Sequence, residues 1–369
     1  MSTRRQLIVG IAAAALAVTS GCGPASTHDA ATDAPSTSRT PLSALQPASD
    51  PRAITGPSTA TLCDESVEPV AQNPTQHLPT TVVSHDHSGD RKVSIKDTSR
   101  VVAINLSGSL AATVNGLGMG KTLVARDQST TFPEAAKLPL VTSGGHSINA
   151  EAVLAAKPTL VITDGSIGPR DVVEQLRDAG VTVVFVKNTP SFAGAAQLAK
   201  DVAAIYGIPD AGAKLASRIT QEVAATKKQI AAIAPKENGR KLRVVFLYVR
   251  GNAGIYYLFG KGSGADDLIT ALGARDIASE QGWAGMRPMT DEAMTKADPD
   301  LILVMTGGIK SAGGVDGLLR TKPAIALTKA GKNTRFVDMA DGDILSFGPR
   351  SADVIDSLAR AVYAPKAGS

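Results

Sequence analysis

EAVLAAKPTLVIT, Glu151 to Thr163, and EAMTKADPDLILVMT, Glu292 to Thr306, are two versions of one unit. Glu, Ala, Ala, Pro and Leu recur at Glu151/Glu292, Ala152/Ala293, Ala156/Ala297, Pro158/Pro299 and Leu160/Leu301, all at a single offset of 141 residues (292 minus 151). Each copy reads as a short helix stopped before a proline, followed by the continuous apolar run that a buried parallel strand needs. A unit that recurs in this way implies two similar α/β lobes. VVAINLSG from Val101 and VVFLYVRG from Val244 are then the equivalent first strands.

The elements around the repeat fit the same class. In the first copy a helix is expected after Gly108, a strand at Leu160–Thr163, a helix from Arg170 to Ala179 and a strand at Val181–Val186. The second copy carries extra sequence, NAGIYYLFGKGSG, in which Tyr256 to Phe259 predicts a hairpin over the cleft between the lobes. Between the copies, PDAGAKLASRITQEVAATKKQIAAIAP places Leu215, Ile219 and Val223 on one helical stripe. Asp210 is the expected N-cap and Pro235 the stop. About 25 residues at ~1.5 Å each make a rod of ~37 Å, a stiff connection between lobes. The fold class is therefore α/β, with two mainly parallel sheets joined by a single long bridging helix.

Composition narrows the function. Among 369 residues, 38 Lys and Arg face 34 Asp and Glu, and the two signs are interspersed. No basic stripe interleaved with aromatics occurs, which argues against nucleic-acid binding. The chain opens with Arg4 and Arg5, then LIVGIAAAALAV, then TSGC ending at Cys22. That is a secretory signal over 1–21 with a lipobox-like end. This end resembles the bacterial lipoprotein family, which implies a lipidated Cys22. Residues 22–90 read as that cysteine and a mostly disordered tether, since Ala, Ser, Thr and Pro dominate from Gly23 to about Ala60 without apolar periodicity. Order is expected from near Lys92, with an N-terminal lobe over 91–207, the bridging helix over 208–236 and a C-terminal lobe over 237–369. Only Cys63 remains beyond Cys22, so the anchored chain would have no internal disulfide. His85-Asp86-His87 has metal-pair spacing but reads as a polar surface segment, and GLGMGKT lacks the first glycine of a phosphate loop because Asn115 stands there.

The strand FLYVRG, Phe246 to Gly251, sends Tyr248 and Arg250 to one face. Taken alone, this pair also suits an aromatic at a core edge with a solvated arginine. His146, in SGGHSIN, precedes the first repeated helix and is the only histidine after His87. Both positions lie at strand ends or loops, where open α/β sheets bind ligands. Trp283, Met286 and Arg287 in GWAGMRP, with Tyr256 and Tyr257, are further wall candidates, of which at most one of the two tyrosines should face the cleft. Asn105, Ser107 and Arg126 are weaker candidates from the first lobe.

Two lobes on one bridging helix behind a lipoprotein signal resemble the substrate-binding proteins of ABC importers, the class that carries cobalamin, siderophores and haem. FLYVRGNAGIYYLFGKGSGADDLI is similar to the hemin-binding lipoproteins of actinobacterial type. The resemblance implies a non-catalytic, monomeric receptor on the extracytoplasmic face of the cell membrane, held by lipid on Cys22. Its cargo would be haem b with Fe(III), its partners an ABC permease and ATPase, and its role iron acquisition. It further implies that His146 and Tyr248 ligate iron from opposite lobes, that Arg250 supports the phenolate, and that Glu151 and Glu292 dock on permease arginines. A siderophore or cobalamin receptor of the same fold, or an adaptor lipoprotein with an empty cleft, are the alternative readings.

Overall fold

The computed structural model describes residues 39–143 and 146–365. The expected signal peptide, Cys22 and the start of the tether lie outside the described residues. Strands β1 (Ser58–Ala60), β2 (Thr80–Asp86), β3 (Gly89–Ile95), β4 (Val101–Ile104), β5 (Leu123–Ala125), β6 (Thr142–Ser143), β7 (Ser147–Ile148), β8 (Leu160–Thr163) and β9 (Thr182–Phe185) come first. β10 (Arg243–Arg250), β11 (Ile255–Phe259), β12 (Arg275–Asp276), β13 (Met286–Pro288), β14 (Leu301–Met305) and β15 (Phe336–Met339) follow. The first lobe's sheet, in order β5-β4-β8-β9, is parallel throughout. The second runs β1-β15-β14-β10-β11-β13, with β12 beside the start of β10, and only β11 and β13 are antiparallel.

The repeat appears as expected. Helices α1 (Ser109–Gly116), α2 (Ala150–Ala155), α3 (Asp171–Asp178) and α4 (Phe192–Ile205) serve the first lobe. α5 (Pro209–Ile233) is the bridge, and α6 (Ala265–Ala271), α7 (Ile277–Glu280), α8 (Asp291–Ala297) and α9 (Thr306–Ser311) belong to the second lobe. α2 feeds β8, which pairs with β4 at Val101↔Leu160, and α8 feeds β14, which pairs with β10 at Val244↔Leu301. Even the helix caps recur at the common offset: Asn149 accepts from Ala152 N–H and Thr290 from Ala293 N–H.

The bridging helix holds its stripe, with Leu215, Ile219 and Val223 buried. Its start differs from expectation. Pro209 occupies the first turn and Ile208 the cap, so Asp210 lies inside the helix, where its carboxylate favours the helix dipole instead of capping. At the other end the chain turns extended at Ala234, the conformation that a following proline favours.

Alternation along β10 divides the second lobe. Val244 and Phe246 enter an apolar core that spans both lobes and the bridge, while Val245, Leu247 and Val249 enter a separate cluster on the sheet's outer face. Tyr248 packs against the inner core.

The tether expectation fails from residue 39 onward. Leu42, Leu45, Ala60 and Val67 are buried, and β1 extends the second sheet in parallel with β15. Backbone pairing needs no apolar period, so composition could not reveal this strand. Arg335, 1% exposed, locks it in place. Its Nη1 donates to Ser58 Oγ (2.6 Å) and Gly56 O (3.3 Å), and its Nη2 to Ala361 O (2.8 Å) and Val362 O (2.9 Å). Burial lowers its pKa to about 10.

β2 and β3 likewise form a hairpin where disorder was expected. Asp86, buried, takes Arg91 at 2.5 Å and Arg177 of α3 at 2.7 Å, which ties the hairpin to the first lobe. The two histidines of the HDH segment part company: His85 meets Asp90 at 2.7 Å, and His87 packs edge-on to Phe185.

Arg335→Met keeps the apolar bulk but leaves two buried carbonyls, of Ala361 and Val362, and the partly buried Gly56 carbonyl without this donor. A loss of about 2–4 kcal/mol in stability is expected, read by urea unfolding, together with faster proteolysis within 54–60. An unchanged midpoint would show that the segment does not depend on this side chain.

Candidate functional site

Tyr248 and Arg250 end β10, and both are partly buried. The Tyr248 ring stacks on Phe259 at 5.9 Å between centroids, with 14° between planes. Phe259 comes from β11 and was not singled out from sequence, although it is two residues from Tyr257 and so shares its face. The Arg250 guanidinium carbon lies 4.5 Å over the Tyr248 ring. Arg250 Nη1 donates to Val249 O (2.9 Å), and Nη2 meets Asp341 Oδ2 (3.1 Å). The cation thus sits on the phenol's face, and its ionic partner in the described residues is a carboxylate.

Asp341 is the member of this group that sequence reading missed. It stands two residues past the end of β15, at the strand edge where the same rule placed Tyr248. Its Oδ1 also accepts Gly307 N–H at 2.7 Å.

His146 occupies the turn between β6 and β7, with φ +77°. Left-handed backbone is unfavourable for a residue with a Cβ, by roughly 1–2 kcal/mol, and such strain concentrates at functional turns. Nδ1 is enclosed and has no hydrogen-bond partner among the described residues. Burial lowers the imidazole pKa, the Arg250 charge lowers it further, and Asp341 opposes both. A neutral imidazole keeps the lone pair that metal ligation requires. The same couplings bring a first-lobe imidazole within electrostatic reach of the second-lobe Tyr248–Arg250–Asp341 group.

The remaining candidates divide by sheet face. Tyr257 is the cross-strand partner of Tyr248, packs on the inner core and shares its side. Met286 pairs with Phe259 and is 56% exposed, so it extends that wall. Tyr256 and Trp283 instead pack against the outer cluster, and Lys322 covers Tyr256 at 4.1 Å. Arg287 pairs with Leu258 and shares that outer side. Period-two geometry therefore removes Tyr256 and Arg287 from the wall that carries Tyr248, and packing on the outer cluster removes Trp283.

On the first lobe, Asn105 is buried in a polar network. Its Nδ2 donates to Ser107 Oγ (2.9 Å), Ser109 Oγ (3.0 Å) and Asp164 Oδ2 (3.1 Å), so it braces the loop instead of facing a ligand. Arg126 Nη1 is turned to the Asp127 and Thr130 carbonyls. Leu106, half exposed, is the apolar side chain that this loop presents. Asp127 is fully buried beneath it. Its carboxylate accepts from Asn105 N–H (2.8 Å), Thr130 N–H (2.7 Å) and Thr130 Oγ1 (2.8 Å), yet burial pushes its pKa up to about 6.

Glu151 and Glu292 are exposed in the first turns of α2 and α8 and enter no ion pair among the described residues. Two surface cavities of about 520 Å³ and 310 Å³ lie away from this group, the first beside Arg39 and Arg360, the second beside Phe132 and Leu138. They do not include His146 or Tyr248.

Residues 102–341 match the periplasmic binding protein family. The chain belongs to that family. It is a binding protein and not an enzyme. The solved heme binding protein HmuT superposes with a TM-score of 0.78 at 38% identity, over 85% of this chain and 99% of that one. That protein has also been solved with an arginine, a histidine or a tyrosine replaced by alanine. RhuT, a periplasmic heme-binding protein from Roseiflexus sp. RS-1, superposes with a TM-score of 0.64 at 33% identity, over 74% of this chain and 100% of that one. YvrC of Bacillus subtilis (strain 168), an uncharacterized ABC transporter substrate-binding lipoprotein, is 27% identical over 296 residues, 79% of this chain and 88% of that one.

Because its folded pKa is raised, Asp127 contributes its full stability below about 3.8 and loses it as pH rises through about 6. The stability of the wild type relative to Asp127→Asn should therefore fall by about 2–3 kcal/mol between about pH 4 and pH 7. Urea unfolding of both proteins at each pH measures it. A difference that stays constant with pH would contradict the assignment.

Proposed function

We propose that this chain is a lipid-anchored extracytoplasmic receptor that captures haem for iron acquisition and hands it to an ABC permease with its ATPase. In this reading Cys22 carries the anchor, and His146 and Tyr248 bind ferric iron from opposite sides. The observation that carries it is the grouping of partly buried Tyr248 under the Arg250 guanidinium, itself paired with Asp341, at the end of β10, with the first-lobe His146 near enough for the Arg250 charge to lower its pKa.

The chemistry supports those roles. A phenol of ordinary pKa near 10 becomes a ligand only when it loses its proton, and both Fe(III) and an adjacent guanidinium favour the anion. Tyrosinate on haem iron is an established ligation mode. The neutral imidazole of His146 suits the opposite position. Phe259, Tyr257 and Met286 would offer one porphyrin face apolar contact. With two protein ligands, iron has no open position for oxygen chemistry, in keeping with a carrier. In HmuT the replaced tyrosine and arginine are two positions apart, the spacing of Tyr248 and Arg250 here.

An absorbance titration with ferric haem should give a Soret band and a tyrosinate-to-iron charge-transfer band in the wild type. Tyr248→Ala is expected to remove the second band and weaken binding by roughly 100-fold, a loss of about 3 kcal/mol. His146→Ala is expected to leave the band and weaken binding less. Retention of the charge-transfer band without Tyr248 would refute the ligand assignment, and failure of the wild type to take up haem would refute the cargo.

Glu151 and Glu292, capped alike and both exposed, are the proposed docking carboxylates for permease cations. Reversing both charges, Glu151→Lys with Glu292→Lys, should leave haem affinity within about twofold and abolish uptake, since exposed charges far from the cargo contribute little to its binding. Uptake at the wild-type rate would remove them from the docking surface.

A further inference from the structure

We propose that Asp341 is a positioning residue that competes with the cargo-ligating phenol for Arg250, and that its charge thereby weakens retention of the cargo. The inference rests on the haem reading above. It goes beyond that reading by assigning a restraint on affinity to a residue outside the ligand set.

The contacts define the competition. Arg250 Nη2 is 3.1 Å from Asp341 Oδ2, while the guanidinium lies over the Tyr248 ring face at 4.5 Å. No hydrogen bond joins Arg250 to Tyr248 Oη among the described residues. A cation over a ring face interacts with the aromatic quadrupole, a weaker attraction than a guanidinium donating to a phenolate oxygen. Once Tyr248 carries negative charge on iron, its oxygen and the Asp341 carboxylate both draw on one guanidinium. The two anions also repel one another in a space from which the cargo excludes water.

Arg250 is confined to this choice. Nη1 is held by Val249 O, the Met305 sulfur is 4.0 Å from Nη2, and a Cβ at Gly308 would come within 3.3 Å of Nη1. Asp341 is anchored separately by Gly307 N–H at 2.7 Å. Its position is thus independent of Arg250, which makes it a fixed competitor. Asp341 also begins a connection that touches the first lobe. A Cβ at Gly342 would lie 3.0 Å from Ser129 O, and Phe347 packs edge-on to Phe192 at 5.2 Å between centroids.

Asp341→Asn tests this cleanly, because the amide oxygen still accepts from Gly307 while the charge is gone. Full chain loaded with ferric haem is mixed with excess apomyoglobin and release is followed by absorbance. The variant should release haem roughly three- to tenfold more slowly, the range of a partly desolvated charge pair. Its charge-transfer band should move to shorter wavelength, since a fuller hydrogen bond lowers the phenolate donor orbital. Asp341→Glu should restore wild-type release. In an Arg250→Ala background, Asp341→Asn should change nothing. Release that is unchanged or faster in Asp341→Asn, or slowing that persists without Arg250, overturns the inference while leaving the cargo reading intact. A wild type that takes up no haem overturns both.

Discussion

Alternation along one strand governs the second lobe. In β10, Val245, Leu247 and Val249 are drawn into the outer apolar cluster, which forces Phe246, Tyr248 and Arg250 toward the other side. Slipping this strand by one residue would bury a guanidinium in the outer cluster and turn three aliphatic side chains toward the cleft, at a cost of several kcal/mol. The pairings with β14 and β11 then hold the strand end from both sides. Tyr248 is therefore presented on a rigid element paired on both sides.

Polar groups in this protein connect segments that composition would leave apart. Arg335 joins strand β1 to the C-terminal helix (Ser351–Tyr363) through carbonyl oxygens and the Ser58 hydroxyl, with no carboxylate among its contacts in the described residues. Asp86 gathers two arginines from different elements, and Asp164 gathers Asn105, Asn188 and Ser166 at the first lobe's cleft edge. Each is a buried or partly buried group with at least one partner far away in sequence: Ser58 and Gly56 for Arg335, Arg177 for Asp86, Asn105 for Asp164. Removing one partner would strand the other, so these contacts specify where loops sit as much as they add stability.

The site is built from the same economy of means. A left-handed turn carries His146 with its Nδ1 enclosed, a strand end presents a phenol, and a single guanidinium stands between that phenol and a carboxylate. The paired helices α2 and α8, capped at matching positions, put one glutamate on each lobe, so anything that engages both carboxylates acts on both halves of the molecule.

The two-lobe class was legible in the sequence because a repeat at a constant offset and a long apolar helical stripe are local patterns, written in consecutive residues. The same holds for the shared direction of Tyr248 and Arg250, which follows from a period of two. Which of Tyr256 and Tyr257 shares the side of Tyr248 depended on the register of β11 against β10, and the place of Trp283 on its packing against the outer cluster, neither of which is written in consecutive residues. The order of residues 39–90 escaped detection because it rests on edge pairing, on Arg335 and on the Asp86–Arg177 pair, which join segments remote in sequence. Asp341 was hidden for the same reason: a carboxylate just past a strand end is ordinary until the fold sets it 3.1 Å from Arg250. Sequence determined the elements and their faces, since backbone periodicity is local; tertiary structure alone decided the partners, since charges and rings act on whatever folding brings near.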